Sequence, residues 1–552
     1  MNGRSSKPLL NGCLMAAALA LVACHGGSSS SSSDTIGGTI SGLTAGSVEL
    51  ANGSATVTVA AGATTWVFPN SFAANSSYAV TVVAQPAGEL CEVTSGGSGA
   101  TLTGNVSDVT VVCSDYGQWI WEVGLNTVNA SGAYGTQGAA SASNAPGARY
   151  AASSWTDRAG DFWLFGGVGY DATGGAGSLN DLWQYSPSTG EWTWVSGGSA
   201  DGAAGVYGTE GAASAGNMPG ARYAASSWTD TSGNLWLFGG YGYDATGGVG
   251  RLNDLWRYTP GTNEWTWISG GSADNAAGVY GTQGTPSAGN MPGARYSAST
   301  WTDASGNLWL FGGYGYDSTG TVGDLNDLWR YSPGTNQWTW ISGGSAHNAA
   351  GVYGTQDAAS AGNVPGARQA ANAWTDSSGN LWLFGGYGYG STGALGYLND
   401  LWQYSPVTTE WTWISGSSAD DASGVYGTQG TAAAGNVLGA RQAAVAWLDP
   451  SGNVWIFGGY GYDSTADLGA LNDLWQFSPS TKQWTWVNGG SGDYASGDYG
   501  TQGTASTSGA PGARQAANAW IGPSGHLWLF GGAGYGSIGN GYLNDLWQFV
   551  PP

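Results

Sequence analysis

The feature that most constrains this chain is a repeat of 73 residues that fills about four fifths of its length. The motif "PGAR", once written "LGAR", recurs six times at that step. "YGT", "LNDLW" and a Trp-x-Trp pair keep the same phase, apart from one residue missing in the last copy. In-phase copies of this kind indicate structural units that each bury an apolar face against their neighbours.

Each copy is predicted to contain four β-strands. In the third copy these are "YSASTWTD" (296–303), "LWLFGGY" (308–314), "DLWRYSP" (327–333) and "QWTWISG" (337–343). The short segments "ASGN" and "GTN" predict hairpin turns within the first and second strand pairs. Trp338 and Trp340 are two residues apart and therefore point to one face, where we expect packing between neighbouring sheets. The 99 glycines, among many β-branched and aromatic residues, also favour an all-β fold.

With its glycine pair in "LWLFGG", then "LNDLW", then a nearby tryptophan, each copy resembles a kelch repeat. Kelch repeats form β-propellers, including the central domain of galactose oxidase, and this resemblance implies a six-bladed kelch-type β-propeller over residues 116–552. Kelch repeats have about 50 residues, so the remainder of each copy is expected in the segments between strands. Two long segments, between the second and third strands and between successive copies, are predicted to emerge on one face and to form the binding surface.

The stretch "QWIWEVG" (118–124) matches the closing strand of a copy but precedes the first copy. The sixth copy stops after its third strand, at "LNDLWQFVPP". We therefore predict that the early stretch supplies the missing strand and closes the last blade, because an unpaired edge strand is a liability that folded proteins avoid.

The N-terminal segment has the pattern of a processing signal. Arg4 and Lys7 precede an apolar run, residues 14–22, that is too short to span a bilayer and ends in "LVAC". This resembles the lipobox of bacterial lipoproteins, which implies removal of residues 1–23 and a lipid on Cys24. An ordinary secretory signal with an incidental cysteine is the alternative. The resemblance implies a lipid-anchored envelope protein, at the outer membrane or cell surface, with residues 24–35 as a Ser-rich tether.

Residues 36–115 alternate apolar and polar side chains in short runs such as "SATVTVA" and "SYAVTVVA". This pattern predicts a small antiparallel β-sandwich, and it resembles the immunoglobulin-like spacer domains of bacterial surface proteins. Cys91 and Cys113 are predicted to form a disulfide in an oxidising compartment.

Two sets of repeated polar residues are candidate ligand-face residues. The arginines are Arg149, Arg222, Arg295, Arg368, Arg441 and Arg514, and the "YGT" tyrosines are Tyr134, Tyr207, Tyr280, Tyr353, Tyr426 and Tyr499. The arginines could form an anion-binding ring for a carboxylate or sulfated sugar. Alternatively, each arginine could be buried and bound to backbone carbonyls or to the aspartate of "LND". A residue repeated in every copy usually meets a need of every copy, which favours the structural alternative for both sets.

Charge and composition narrow the function classes. A net charge of −23 argues against a nucleic-acid partner. The repeat region has no cysteine and only His347 and His526, so the resemblance to the galactose oxidase propeller does not carry its copper site. We predict no metal and no cofactor, and no carboxylate pair can be assigned to glycoside hydrolysis by spacing. Glu210, His347 and Asp357 break the repeat without an obvious partner.

The predicted function is binding of a glycan or another envelope protein by a monomeric chain. A carbohydrate-active enzyme, a hydrolase or lyase with its site on the same propeller face, is the alternative, and the catalytic residues are not assigned.

Overall fold

The structure is a computed structural model that describes residues 33–551, except residues 45, 85, 87–88, 101, 116 and 507–508. The regular elements of this described part are all β-strands, which confirms the all-β fold class. None of the described elements is a helix long and apolar enough to cross a membrane. The predicted lipidation site, Cys24, lies outside the described residues. The chain divides into two compact units between Cys113 and Ser114.

The first unit contains two four-stranded sheets around one apolar core that includes Ile36, Val48 and Val109. One sheet has the strand order Thr65–Val67, Ile36–Ser41, Val106–Asp115 and Glu89–Ser95, and the other has the order Ala55–Ala60, Ser47–Asn52, Tyr78–Ala84 and Ser98–Gly99. Ser33–Asp34 pairs separately with Phe72–Ala73. The first and last long strands of the unit run parallel, in contrast to the predicted antiparallel arrangement. Cys91 and Cys113 form the predicted disulfide.

The described part of the second unit contains two three-stranded sheets, which are Arg149–Tyr150 with Val168–Tyr170 and Ala176–Ser178, and Arg295–Tyr296 with Tyr314–Tyr316 and Val322–Asp324. It also contains six larger antiparallel sheets with four main strands each. From the inner to the outer strand these are Ser153–Thr156, Phe162–Phe165, Leu182–Ser186 and Glu191–Ser196; Ser226–Thr229, Leu235–Tyr243, Val249–Thr259 and Glu264–Ser269; Ser299–Thr302, Leu308–Phe311, Leu328–Ser332 and Gln337–Ser342; Asn372–Thr375, Leu381–Tyr389, Leu395–Ser405 and Glu410–Ser415; Val445–Leu448, Val454–Tyr462, Leu468–Ser478 and Gln483–Asn488; and Asn518–Ile521, Leu527–Tyr535, Asn540–Phe549 and Trp119–Val123. The strand Trp119–Val123 pairs antiparallel with the end of the chain, with Trp119 opposite Phe549, as the orphan motif predicts.

Backbone hydrogen bonds join the inner ends of the six sheets into a closed circle. One residue of each copy donates its N–H to the carbonyl of the equivalent residue in the preceding copy, over 2.8–2.9 Å. These residues are Ala151, Ala224, Ser297, Ala370, Ala443 and Ala516, and all six have positive φ. The first copy donates to the sixth, so the array closes on itself. We call this circle the axial ring.

Aromatic side chains fill the spaces between neighbouring sheets. Trp338 is buried, and its ring lies 5.4 Å from that of Phe238 in the preceding sheet. Trp340 instead packs edge-on against Tyr280 at 5.2 Å, within its own copy. The predicted packing role is therefore correct for the first tryptophan of the pair. The second is partly buried and packs against the same apolar cluster, where it contacts the segment that leads into the copy.

The long segment between copies does not remain on one face, contrary to the sequence-based expectation. In the third copy, residues 279–291 turn back on themselves and lie along the outer strand 337–342. The Gly284 N–H donates to the Trp340 carbonyl at 2.7 Å, and the Asn290 side chain donates to the Trp338 carbonyl at 3.1 Å. An outer strand is an exposed edge, and this segment, which we call the edge arm, covers it. Much of the extra length of each copy therefore protects a sheet edge.

Candidate functional site

The repeated arginine of the third copy, Arg295, forms a buried ion pair. Arg295 donates from Nη1 and Nη2 to the two carboxylate oxygens of Asp327 at 2.7 and 2.8 Å. Its Nε and Nη1 also donate to the carbonyls of Gly293 and Gly312 at 2.9 and 3.0 Å. Both charged side chains are fully buried. Burial opposes the charge on Arg295, but Asp327 more than offsets this effect, and the pKa of the guanidinium is raised.

The repeated tyrosine belongs to the same network. The Tyr280 hydroxyl donates to Asp327 Oδ2 at 2.5 Å, and the Trp329 indole donates to the same oxygen at 2.7 Å. Burial and the neighbouring Asp327 charge raise the pKa of Tyr280. The edge arm, the start of the inner strand and the third strand are thereby connected at one carboxylate.

All six copies contain this network. The ion pairs are Arg149–Asp181, Arg222–Asp254, Arg295–Asp327, Arg368–Asp400, Arg441–Asp473 and Arg514–Asp545, and the tyrosines that donate to them are Tyr134, Tyr207, Tyr280, Tyr353, Tyr426 and Tyr499. The arginines are at most 1% exposed and the tyrosines at most 6%. In each copy the arginine and the tyrosine therefore bind one buried aspartate and do not face solvent, which is the arrangement of the structural alternative.

The residues that break the repeat are dispersed. His347 Nδ1 lies 2.8 Å from Asp317 Oδ2, and this contact, with hydrogen bonds from Thr319, outweighs burial and lowers the pKa of Asp317. Asp357 forms a half-exposed ion pair with Lys482, and Glu210 is exposed. The described residues contain no group of three or more His, Cys, Asp or Glu side chains that could hold a metal ion.

A second set of side chains, not singled out in the sequence, lies beside the axial ring. In each copy the chain resumes strand pairing after the glycine pair of the second strand, either in the same strand or in a short separate one. This segment pairs on one side with the repeated arginine and the residue after it, and on the other side with the start of the third strand or a short strand in line with it. In the third copy this places Tyr296 opposite Tyr314, and Tyr314 opposite Asp324. Residues directly opposite each other in an antiparallel pair share one face of the sheet.

We call these positions the axial rows, with three residues in each copy. The first position holds Tyr150, Tyr223, Tyr296, Gln369, Gln442 and Gln515. The second holds Val168, Tyr241, Tyr314, Tyr387, Tyr460 and Ala533. The third holds Ser178, Arg251, Asp324, Tyr397, Ala470 and Tyr542. Unlike the buried network, these positions vary between copies.

The tyrosines of the axial rows form partly exposed aromatic groups. Ring centroids are 4.9 Å apart for Tyr150 and Tyr542, 5.7 Å for Tyr296 and Tyr314, and 5.0 Å for the pair Tyr387 and Tyr397. These side chains are neither fully buried nor fully exposed. Partly exposed aromatic faces are available for stacking against a ligand.

Arg251 extends from the second sheet among tyrosines of the second and third copies. Its guanidinium carbon lies 4.9 Å from the ring centroid of Tyr314 and 5.7–5.9 Å from those of Tyr241, Tyr296 and Tyr316. These distances correspond to cation–π contacts. Arg251 Nε is buried and has no hydrogen-bond partner among the described residues.

Asp324 occupies the equivalent position in the third copy, and its side chain is a buried carboxylate. The residue is 3% exposed, and Oδ1 has no hydrogen-bond partner in the described part of the chain. Its backbone N–H donates to the Asn348 side chain at 3.0 Å, and the Asn348 N–H donates to its carbonyl at 2.7 Å. Burial raises the pKa of Asp324 to about 7. Burial is also the main cause of the raised pKa of Tyr389, and the Asp324 charge adds to it.

A cavity of about 260 Å³ lies among the inner strands that follow the axial ring. Its walls include Ser154, Ser227 and Thr300. The Thr300 hydroxyl donates to the Ser227 carbonyl at 3.2 Å, and the Ser227 hydroxyl donates to the Ser154 carbonyl at 3.3 Å. These hydroxyls connect neighbouring inner strands, so the variable polar groups of the axial rows are the better candidates for ligand binding.

Comparison with known families identifies the repeat. The family model described as the KLHDC2/KLHL20/DRC7 Kelch-repeats domain matches residues 207–418 and 280–507. The two matches together cover residues 207–507, which is more than half of the chain. No curated protein matches the chain.

Proposed function

This chain belongs to the kelch-repeat domain family, whose propeller indicates a role in protein or ligand interaction, and we propose that its axial rows bind a glycan. The observation that carries the proposal is the combination of partly exposed tyrosine rings with glutamine amides at equivalent positions. The apolar C–H face of a sugar ring packs against an aromatic ring, and its hydroxyls exchange hydrogen bonds with amides and phenols.

The two halves of the array offer different chemistry to such a ligand. The first position of the axial rows is tyrosine in the first three copies and glutamine in the last three. Each of these residues directly precedes a residue of the axial ring, so the two groups lie on opposite sides of that circle. A glycan that crosses the axis would stack on one side and form hydrogen bonds on the other.

A glycan array probed with the purified chain tests this proposal. We expect a bound glycan to lose at least tenfold in affinity for Tyr223→Ala and Gln442→Ala. Val407→Ala, which changes a side chain that is 91% exposed in the turn between the third and outer strands of the fourth sheet, is the matched control and should bind as the parent does. Binding that is unchanged in both row variants would contradict the assignment. New reducing ends in the glycan after incubation would instead favour the alternative, a hydrolase with its site on this face.

We also propose that Cys24 carries a lipid that holds the monomeric chain at the bacterial envelope, at the outer membrane or cell surface. The support is the resemblance of "LVAC" to a lipobox and the Ser-rich stretch that follows it. Labelling cells with an alkyne fatty acid should mark the expressed chain but not its Cys24→Ala variant. Equal labelling of both would contradict lipidation at this cysteine.

A further inference from the structure

The second and third copies have residues of opposite charge at one equivalent position of the axial rows. Arg251 and Asp324 are equivalent residues, 73 positions apart. Arg251 lies between the second and third sheets, a space that we call the first gap. Asp324 is at the equivalent position of the third sheet, opposite Tyr314, and its charge acts on Tyr296 of its own copy and on Tyr389 of the fourth copy. We call the equivalent space between the third and fourth sheets the second gap. The surroundings of Arg251 and of Asp324 can therefore be compared residue by residue, one with a cation and the other with a carboxylate.

In the first gap the framework accommodates a cation. Four tyrosine rings, those of Tyr241, Tyr296, Tyr314 and Tyr316, surround the Arg251 guanidinium. This guanidinium is part of the chain and is held within the distance at which ring faces attract cations. The tyrosine framework is thus an electron-rich site for a planar or rounded organic cation.

In the second gap most of the tyrosines have an equivalent tyrosine, whereas the arginine is replaced by an aspartate. The residues equivalent to the four tyrosines are Tyr314, Gln369, Tyr387 and Tyr389. Three of the four rings remain, and Gln369 adds an amide. The chain supplies a carboxylate, Asp324, where the preceding copy supplies its own guanidinium.

The Asp324 carboxylate lacks the partners that a buried charge normally has. Its Oδ1 accepts no hydrogen bond, and no ion pair of the described residues includes it. The ionisable groups whose pKa values respond to it are Tyr296 and Tyr389, and neither supplies a positive charge. The Arg251 guanidinium lies 5.7 Å from the Tyr296 ring, but it forms no ion pair with Asp324 in the described structure. A buried carboxylate without a partner is costly and is stabilised by a cation that pairs with its charge.

We propose that the gap around Asp324 binds the ammonium group of an amino sugar. The carboxylate would pair with the positive charge while the tyrosine rings pack against the groups attached to nitrogen. This inference rests on the proposed glycan function, because the gap belongs to the axial rows. It adds a preference for a cationic sugar over its neutral counterpart.

The test compares two tetrasaccharides by calorimetry with the full chain. One is built from N,N,N-trimethylglucosamine, whose positive charge does not depend on pH, and the other from neutral N-acetylglucosamine. Titrations are run at pH 8, where Asp324, with a pKa that burial raises to about 7, is ionised. We expect the charged sugar to bind at least tenfold more tightly, and Asp324→Asn to abolish that preference.

The control variant is Asp467→Asn, which removes the same charge from an exposed position in the fifth copy and should keep the preference. Asp324→Asn removes an unpaired buried charge and should remain folded, which the melting temperature verifies. Equal binding of both sugars, or a preference that survives Asp324→Asn, would overturn this inference and leave the glycan function intact. An Asp324-dependent response to trilysine without binding of either sugar would overturn both and indicate a peptide ligand.

Discussion

Replacing one repeated arginine tests whether the buried network holds the fold together. Arg295→Ala removes a bidentate pair with Asp327 and two hydrogen bonds to the carbonyls of Gly293 and Gly312. Asp327 would keep its bonds from Tyr280 and Trp329, but its charge would lose the only cation with which it pairs among the described residues.

The expected cost follows from the burial of both partners. Removing one member of a buried ion pair costs about 3–5 kcal/mol, because the remaining charge is left in a poorly solvated position. Unsatisfied buried carbonyls cost about 1–3 kcal/mol each, although water entering the space left by the side chain reduces this cost. We therefore expect Arg295→Ala to lower the free energy of unfolding by about 4 kcal/mol.

Urea denaturation followed by tryptophan fluorescence measures this loss. Arg330→Ala is the matched control, because the Arg330 guanidinium lies over the Trp309 ring at 5.7 Å and forms no ion pair in the described structure. Its loss should cost less than about 1 kcal/mol. A loss below about 1 kcal/mol for Arg295→Ala would refute the structural role. Loss of binding to an anionic ligand with unchanged stability would restore the hypothesis of an anion-binding ring.

Three further predictions concern closure, pH and the edge arm. Deletion of residues 116–124 should lower the melting temperature of the repeat array, since Trp119 is 1% exposed and Trp119→Ala alone should cost about 4 kcal/mol; an unchanged melting temperature would contradict closure by this strand. The folded-state pKa of Asp324, about 7, exceeds its ordinary value of 3.8, so the contribution of Asp324 to stability is largest below pH 4 and is lost as the pH rises through 7. Denaturation at pH 5 and pH 8 should show about 3 kcal/mol of pH dependence that Asp324→Asn lacks, and an identical dependence in the variant would contradict the raised pKa. Asn290→Ala should cost about 1–2 kcal/mol and speed proteolysis within residues 270–294, whereas an unchanged cleavage rate would contradict the role of Asn290 in holding the arm.

The repeated elements of the fold could be predicted because every copy contains the same strand-forming motifs at the same spacing. Six in-phase copies of "LWLFGG" and "LNDLW" predict the same strands, and the structure has strands at these positions in every copy. The orphan "QWIWEVG" could be placed because the sixth copy has no outer-strand motif of its own. Its third strand therefore needs a partner, and the orphan stretch pairs with it. The same reasoning about residues repeated in every copy favoured a structural role for the arginines.

The edge arm could not be predicted from the sequence. Its contact with the outer strand joins residues about 50 positions apart, such as Ser287 and Trp338, through a backbone bridge. Backbone pairing of that kind leaves no alternation of apolar and polar side chains in the arm. The only available signal was the excess length itself, which is equally compatible with a surface loop.

The axial rows were missed because the predicted second strand ends at Tyr314, one residue past the glycine pair, and the residues that follow were assigned to a long segment between strands. Gly312 and Gly313 have φ values of 65° and 89°, a conformation that residues with a side chain rarely adopt. The backbone turns there and then resumes pairing, so Asp324, opposite Tyr314, belongs to a sheet and not to a loop. A comparison of the copies would have shown that the residue after each repeated arginine changes from tyrosine to glutamine.

A scaffold of near-identical copies can recognise an asymmetric ligand only through positions that differ between copies. The buried ion pairs and the axial ring recur in every copy, because each copy must join the next in the same way. The backbone hydrogen bonds of the axial ring are the same at Ser297 as at the five alanines, and they are kept in all six copies although the residues of the axial rows differ. Arg251 and Asp324, adjacent in the array and opposite in charge, are the strongest departure from symmetry in the rows. Specificity is therefore expected to reside between the second and fourth sheets, and substitutions there should alter ligand preference without altering the fold.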